Sequence, residues 1–255
     1  MTADAAADRP RSLTVPYRIR FDEAGPDGLA RASSLLALVQ DAAWWHSERL
    51  GFTRAWYAER GLVWLVRSIE ARLLAPVAYG ETVDVWTAVV GERRVMARRA
   101  SRVTSADGSP VASVWTDWVL TDARGAPTRI PSDFADWLAE APERFDPLRV
   151  DRGEPPPGAV PLDLSVRPRD LDPMGHVNNS VYVDYLDEAV VAAGGADDVA
   201  ALPRRYALEY VGSATAGDDL VALAWRTGDG WTHRLQRASD GAALLRGTLG
   251  TSTGA

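Results

Sequence analysis

The chain has 255 residues, 46% of them apolar and 25% charged, with a net charge of −7 and no cysteine. That length suits one large domain or two small ones with a real core. The composition excludes disulfides, zinc-thiolate sites and a cysteine nucleophile. The acidic balance lacks a global nucleic-acid footprint, and no apolar run reaches the roughly 18 to 20 residues of a membrane span.

All 28 basic residues are arginine, so Schiff-base and Walker-type lysines are excluded too. The first dozen residues, MTADAAADRPRS, lack the basic start and apolar centre of a signal peptide. A disordered tail is expected over 1–14, and a cytoplasmic location for the chain. The run VPYRIRF (15–21) reads as a strand. A helix follows in ASSLLALVQDAAWWHSERLGF, with Ser33 as N-cap, Leu35, Leu38, Val39, Ala42 and Trp45 on one stripe, and Gly51 as its stop. Four strands are predicted at 62–75, 82–90, 94–104 and 110–122, with turns at Gly80, Gly91, Asp107-Gly108 and Gly125. In 82–90, Val83, Val85 and Thr87 face one way and Asp84, Trp86 and Ala88 the other. Residues 141–161, rich in Pro and charge, read as a linker without a core of its own.

The pattern then repeats. A strand at 162–170 leads into a helix with Tyr182, Tyr185, Leu186, Ala189 and Val190 on one stripe, ended by Gly194-Gly195. Strands follow at 204–215, 219–227, 231–239 and 243–252, with Asp229-Gly230 and Asp240-Gly241 as hairpin dipeptides. One helix followed by antiparallel strands predicts a sheet wrapped around that helix. Two such units, 15–140 and 162–255, predict an α+β dimer made covalent, sharing one continuous sheet.

Between the second unit's first strand and its helix lies DLDPMGHVNNSVY (170–182). It packs an acid, a Gly-His pair and two amides into one loop. Asp and Asn are ordinary N-caps, and an Asx turn accounts for much of such a loop. A lone His near a helix start is more often structural than catalytic.

The element order and this motif resemble the hot-dog thioesterases, and among them the double hot-dog acyl-acyl-carrier-protein thioesterases of plants and bacteria. The resemblance spans about 15 to 250. It rests on LVQDAAWWH, LVWLVRSIEARLLAPVAYGETVDVWT and ASVWTDWVLTD in the first half, and on DLDPMGHVNN and YALEY in the second. It implies a tandem hot-dog fold whose second half carries the chemistry and whose first half shapes the acyl pocket. The family pattern is roughly Asp-x-Asn-x-His-Val-Asn-Asn; Asp172, His176, Val177, Asn178 and Asn179 match it, while Met174 stands where plant members carry Asn. Ser213 and Ala214 stand where the family places Glu, often followed by Cys. The simpler form Asp-x-x-Gly-His-Val-Asn-Asn is matched in full from Asp172 to Asn179.

The implied reaction is hydrolysis of an acyl thioester on acyl carrier protein or coenzyme A, in fatty-acid or polyketide metabolism. Asp172 would serve as general base or as nucleophile. His176 would bind the thioester oxygen, orient water or protonate the leaving thiolate. Asn178 and Asn179 complete the set, Asn179 capping the helix or holding Asp172. Backbone N–H groups around Gly175 and Val177 would polarise the carbonyl. Met174 and Ser213 are assigned to the substrate wall. Trp44 and Trp45 are adjacent on a helix and cannot share a face, so one is expected in the acyl pocket, favouring a medium-length or aromatic, polyketide-like acyl group. Arg167, Arg169, Arg204 and Arg205 are assigned to the phosphate-bearing carrier. The cluster Arg93, Arg94, Arg98, Arg99 and Arg102 reads equally well as a solvated strand face. His46 is expected to be a buried core residue, and His233 has no assigned role. No cofactor, metal, nucleic acid or membrane is expected. One active centre per chain is expected, in a pseudo-dimeric monomer or a homodimer. The rivals are a hot-dog dehydratase, isomerase or cyclase, and a silent acyl-binding protein.

Overall fold

A computed structural model describes residues 11–132, 134, 143–150 and 153–251. Strand alternation sets its inner face. In β3 (Thr82–Arg93), Val83, Val85 and Thr87 are buried and Asp84 is exposed. β1 (Ser12–Arg18), β2 (Leu62–Leu73), β4 (Met96–Ser105) and β5 (Pro110–Asp122) complete the first half. β6 (Val160–Ser165), β7 (Arg204–Tyr210), β8 (Asp219–Thr227), β9 (Gly230–Arg237) and β10 (Ala243–Gly250) form the second. All ten make one antiparallel sheet in the order β1-β3-β4-β5-β2-β7-β10-β9-β8-β6. The halves join where β2 pairs with β7, from Ser68 opposite Glu209 to Leu73 opposite Arg204.

Each half wraps its own helix. α1 (Ala32–Arg49) covers the first and α3 (Val181–Ala192) the second, and the two helices touch each other. α3 buries Tyr182, Tyr185, Leu186, Ala189 and Val190, the stripe read from the sequence. It can lie close to the sheet because β10 offers Gly247 beneath it: a Cβ there would sit 2.9 Å from Leu186 Cδ1. Burying a side chain such as Leu186 is worth about 1.5–3 kcal/mol.

Several expectations need correction. α1 starts at Ala32 after Arg31, so Ser33 is no cap; it is buried in the first turn, beside Asp184 of α3. The α1 stripe runs through Leu35, Leu36, Val39, Ala42, Ala43 and His46, while Trp45 is 46% exposed. β1 begins at Ser12, ahead of the strand expected at 15–21, and residues 1–10 of the expected tail lie outside the described residues. The strand expected at 162–170 ends at Ser165, and Pro168–Asp170 form a 3-10 turn. Two short helices were not foreseen: α2 (Arg54–Arg60), capped by Thr53, whose Oγ1 accepts from the Trp56 N–H at 3.2 Å, and α4 (Ala196–Ala200).

The outer face of the seam is polar but closed. Glu209 is fully buried and accepts from Arg67 at 2.6 Å, from the Val150 N–H at 3.2 Å and pairs with Arg246 at 3.7 Å. Beside it, Arg98 grips both oxygens of Asp117 at 2.7 and 2.9 Å, and Ser68 donates to the same carboxylate. The connecting segment packs over this face with Phe145 and Val150 buried, so that part of the stretch read as a coreless linker belongs to the packing.

On α3, Asp187 accepts from Tyr206 Oη at 2.9 Å, and burial pushes its carboxyl up to about 7. An acid whose pKa is raised by folding weakens the fold as pH climbs from its unfolded value near 4 towards 7. Asp187→Asn keeps the acceptor for Tyr206 and removes the charge. It should stabilise the protein by on the order of 2 kcal/mol at pH 8, and the gain should vanish near pH 4, as read by chemical denaturation at the two pH values.

Candidate active site

The loop 170–178 is built by its own backbone. Gly175, at φ 78°, donates its N–H to Asp172 O at 2.9 Å, and Asp172 returns its N–H to His176 O at 2.8 Å. Val177 N–H goes to Ala214 O at 2.9 Å and Asn178 N–H to Asp170 O at 2.8 Å. Asp170 anchors the base, accepting from Tyr185 Oη at 2.9 Å and from the N–H and Nε of Arg167 at 2.9 and 3.0 Å. Burial alone would raise the Asp170 carboxyl, but the bonds from Arg167 and Tyr185 hold it below the ordinary value.

The first half carries the same loop. Gly28, also at φ 78°, donates to Gly25 O at 3.0 Å, and Gly25 N–H returns to Leu29 O at 2.8 Å. Ala30 N–H goes to Val77 O at 2.8 Å and Arg31 N–H to Glu23 O at 3.0 Å. Backbone partner matches backbone partner throughout. Gly25 stands where the second half has Asp172, Leu29 where it has His176, and Arg31 and Ala32 where it has Asn178 and Asn179. The loop geometry therefore needs neither the acid nor the imidazole at those places.

The side chains sort into two kinds. Asp172 Oδ1 accepts from Met174 N–H at 2.8 Å and, weakly, from His176 N–H at 3.4 Å; no bond to Oδ2 occurs among the described residues. The Asp172 carboxylate and the His176 imidazole share no hydrogen bond; only backbone joins them. Asn178 is the cap, its Oδ1 taking both the N–H and the hydroxyl of Ser180 at 2.9 Å. Asn179 neither caps the helix nor holds Asp172. Its carbonyl accepts from Tyr210 Oη at 2.7 Å, and its amide side chain and N–H have no hydrogen-bond partner among the described residues.

The expected oxyanion donors change accordingly. The N–H groups of Gly175 and Val177 are spent inside the fold, while the N–H of Asn179, at the head of α3, has no partner among the described residues. Next to it, Ser180 lines a narrow cleft between α1 and the first-half sheet. Leu36, Val39 and Ala43 of α1 and Val66 and Ile69 of β2 wall that cleft. The head of the second half's helix thus meets a crevice of the first half.

Other assigned residues lie elsewhere. Trp44 is 41% exposed and sits against Tyr57, so neither Trp44 nor Trp45 lines the cleft; the helical phase turns both outward. Met174 is half exposed and contributes its N–H, not a wall. Ser213 is exposed and offers only its carbonyl, to Arg237. Arg167 is engaged with Asp170 and Arg205 with Glu70 at 3.1 Å, while Arg169 is mostly exposed. β7 runs against α3, with Tyr210 at Asn179 and Tyr206 at Asp187, so Arg204 and Arg205 sit about 20 Å down the strand from the helix head. Ser180, Tyr210 and the cleft walls escaped sequence reading because only tertiary pairing brings them together.

Residues 11–138 match the family model of the acyl-ACP thioesterase N-terminal domain. The chain belongs to the acyl-ACP thioesterase family. This family member is a thioester hydrolase with a tandem hot-dog fold, and its residues 166–226 also match the thioesterase-like superfamily. Among curated proteins none matches the thioesterase chain in sequence. Its fold is similar to that of a protein from Lactobacillus plantarum assigned as an oleoyl thioesterase, at 22% identity and TM-score 0.81, covering 96% of this chain and 97% of that one. It is also similar to the 12:0-ACP thioesterase of Umbellularia californica, at 20% identity and TM-score 0.80, covering 94% and 97%. An acyl-ACP thioesterase from Bacteroides thetaiotaomicron VPI-5482 follows at 17% identity and TM-score 0.79, covering 94% and 97%. At these identities the likeness speaks for the fold. No helix among the described residues is long and apolar enough to cross a membrane.

The division between cap and unbonded amide can be measured. Asn178→Ala should lower the unfolding midpoint by about 2–4 °C, the effect of about 1 kcal/mol lost with a cap in a chain of this size. Asn179→Ala should leave the midpoint unchanged; scanning calorimetry on both variants checks this.

Proposed function

We propose that the head of α3 and the cleft under α1 form a single active centre that hydrolyses an acyl group from the phosphopantetheine arm of acyl carrier protein. The observation that carries this is the duplicated loop: both halves make the same turn, and only the second furnishes it with Asp172, His176, Asn178 and Asn179. In this reading the thioester carbonyl meets the Asn179 N–H, helped by the positive end of the α3 dipole. The acyl chain runs from Ser180 into the cleft.

Asp172 acts through its open oxygen while Met174 N–H pins the other, so the carboxylate is held in one orientation. It either attacks the acyl carbon or takes a proton from the attacking water. His176, whose imidazole has no hydrogen-bond partner among the described residues, supplies the proton to the leaving thiolate. Arg169, the most exposed of the arginines around the loop, faces the acidic carrier. Both halves supply walls of the centre, so one chain suffices for it.

The experiment is thiol release from acyl-ACP and acyl-CoA substrates. Asp172→Asn keeps the acceptor for Met174 N–H, so its unfolding midpoint should match that of the parent. Its kcat/KM should fall at least ~100-fold. Near-normal turnover would remove Asp172 from the mechanism, and release of dehydrated or isomerised product instead of free acid would replace the hydrolytic reading.

A further inference from the structure

The cleft is lined by apolar residues of α1 and β2 together with Gln40, and it carries one charge. Among the described residues, its only titratable lining side chain is Arg99 of β4. Arg99 Nη1 donates to His46 Nδ1 at 2.8 Å and makes a long contact with Thr87 Oγ1 at 3.4 Å. No carboxylate pairs with it among the described residues, whereas its neighbour Arg98, on the opposite face, is clamped by Asp117. Burial pushes the Arg99 guanidinium down to about 10, which leaves it charged at neutral pH. On β5, Thr116 lies opposite Arg99, and Trp118 follows on the same face and lines the same cleft. The indole N–H of Trp118 is buried with no acceptor among the described residues.

An unpaired indole N–H and a guanidinium held only by His46 and Thr87, with no carboxylate among the described residues, are costly to the fold in one crevice. The second half shows that the fold does not require them. There, Trp231 holds the strand position equivalent to Arg99, opposite Arg226 as Arg99 is opposite Val89. The Trp231 N–H is satisfied by Asp198 at 2.9 Å. The same sheet position is thus filled by a partnered ring in one half and, in the half that holds the cleft, by a guanidinium with no carboxylate partner among the described residues.

We propose that Arg99 and Trp118 read an oxygen on the acyl chain, so that the enzyme selects acyl groups bearing a distal keto or carboxylate oxygen over plain alkyl chains of equal length. The selection rests on the acyl group occupying the cleft under α1, as argued for the proposed function. A ligand oxygen would give the Trp118 N–H the acceptor it lacks and Arg99 a partner beyond His46 and Thr87, whereas a saturated chain leaves the indole N–H unpaired.

The test compares octanoyl-CoA with 7-oxo-octanoyl-CoA and octanedioyl-CoA in steady-state hydrolysis by the full chain. At least one oxygenated substrate should exceed octanoyl-CoA by ~10-fold or more in kcat/KM. Arg99→Met, close in volume and without the donors, should bring that ratio near one. Trp118→Phe, which removes only the N–H and the smaller ring, should lower it and stands in should the arginine variant fail to fold. A parent enzyme that prefers octanoyl-CoA, or a ratio untouched by Trp118→Phe and Arg99→Met, overturns the proposal. The same three acyl chains as non-hydrolysable CoA thioethers, measured by calorimetric titration, separate it from the reaction. Binding preference without hydrolysis would sink the proposed function and support this one, while equal binding of all three would sink the selection itself.

Discussion

The structure depends on the antiparallel seam between β2 and β7. Neither half is complete at that edge: the strands there find their hydrogen-bond partners in the other half. Once they pair, the sheet is continuous and the two helices lie side by side on its inner face. That places the head of α3 over the crevice beneath α1, and no element within one half could do so. The buried Glu209 fixes the seam from behind, joining Arg67 of β2, Arg246 of β10 and the connecting segment at Val150. A buried carboxylate with this many partners adds little net stability but is very intolerant of losing one. It therefore acts as a register pin for the two strands.

The loop before α3 separates structure from chemistry with unusual clarity, because the chain contains its own comparison. Every backbone bond that shapes it recurs before α1. What differs is the side chains that the backbone presents. Asn178 has a structural duty as a cap and Asp172 holds one amide with one oxygen. The side chains of His176 and Asn179 have no hydrogen-bond partner among the described residues.

Much of this was legible in the sequence. The repeat, the seam-sharing architecture and the α3 stripe follow from period-2 and period-3.6 patterns, which depend only on local geometry. The family pattern pointed to the 172–179 loop. What could not be read was phase and depth. Trp44 and Trp45 look like pocket residues by size, yet the helix turns Ala43 and His46 inward and leaves them outside. The arginines of β4 look like one basic patch in sequence, but alternation deals Arg98 to the outer network and Arg99 to the cleft. Gly175 and Val177 looked like free helix-head donors because their acceptors, Asp172 O and Ala214 O, are set by a fold that a linear pattern does not show.

The joining of two halves in one chain has a further effect on how such an enzyme can change. In a symmetric pair of identical subunits, any substitution is made twice, once where it helps and once where it harms. Here the loop at Gly25 and the loop at Asp172 are encoded separately, and so are Arg99 and its counterpart Trp231. The crevice beneath α1 can be redrawn by altering residues such as Arg99 without touching their counterparts in the second half, and the loop before α3 stays as it is.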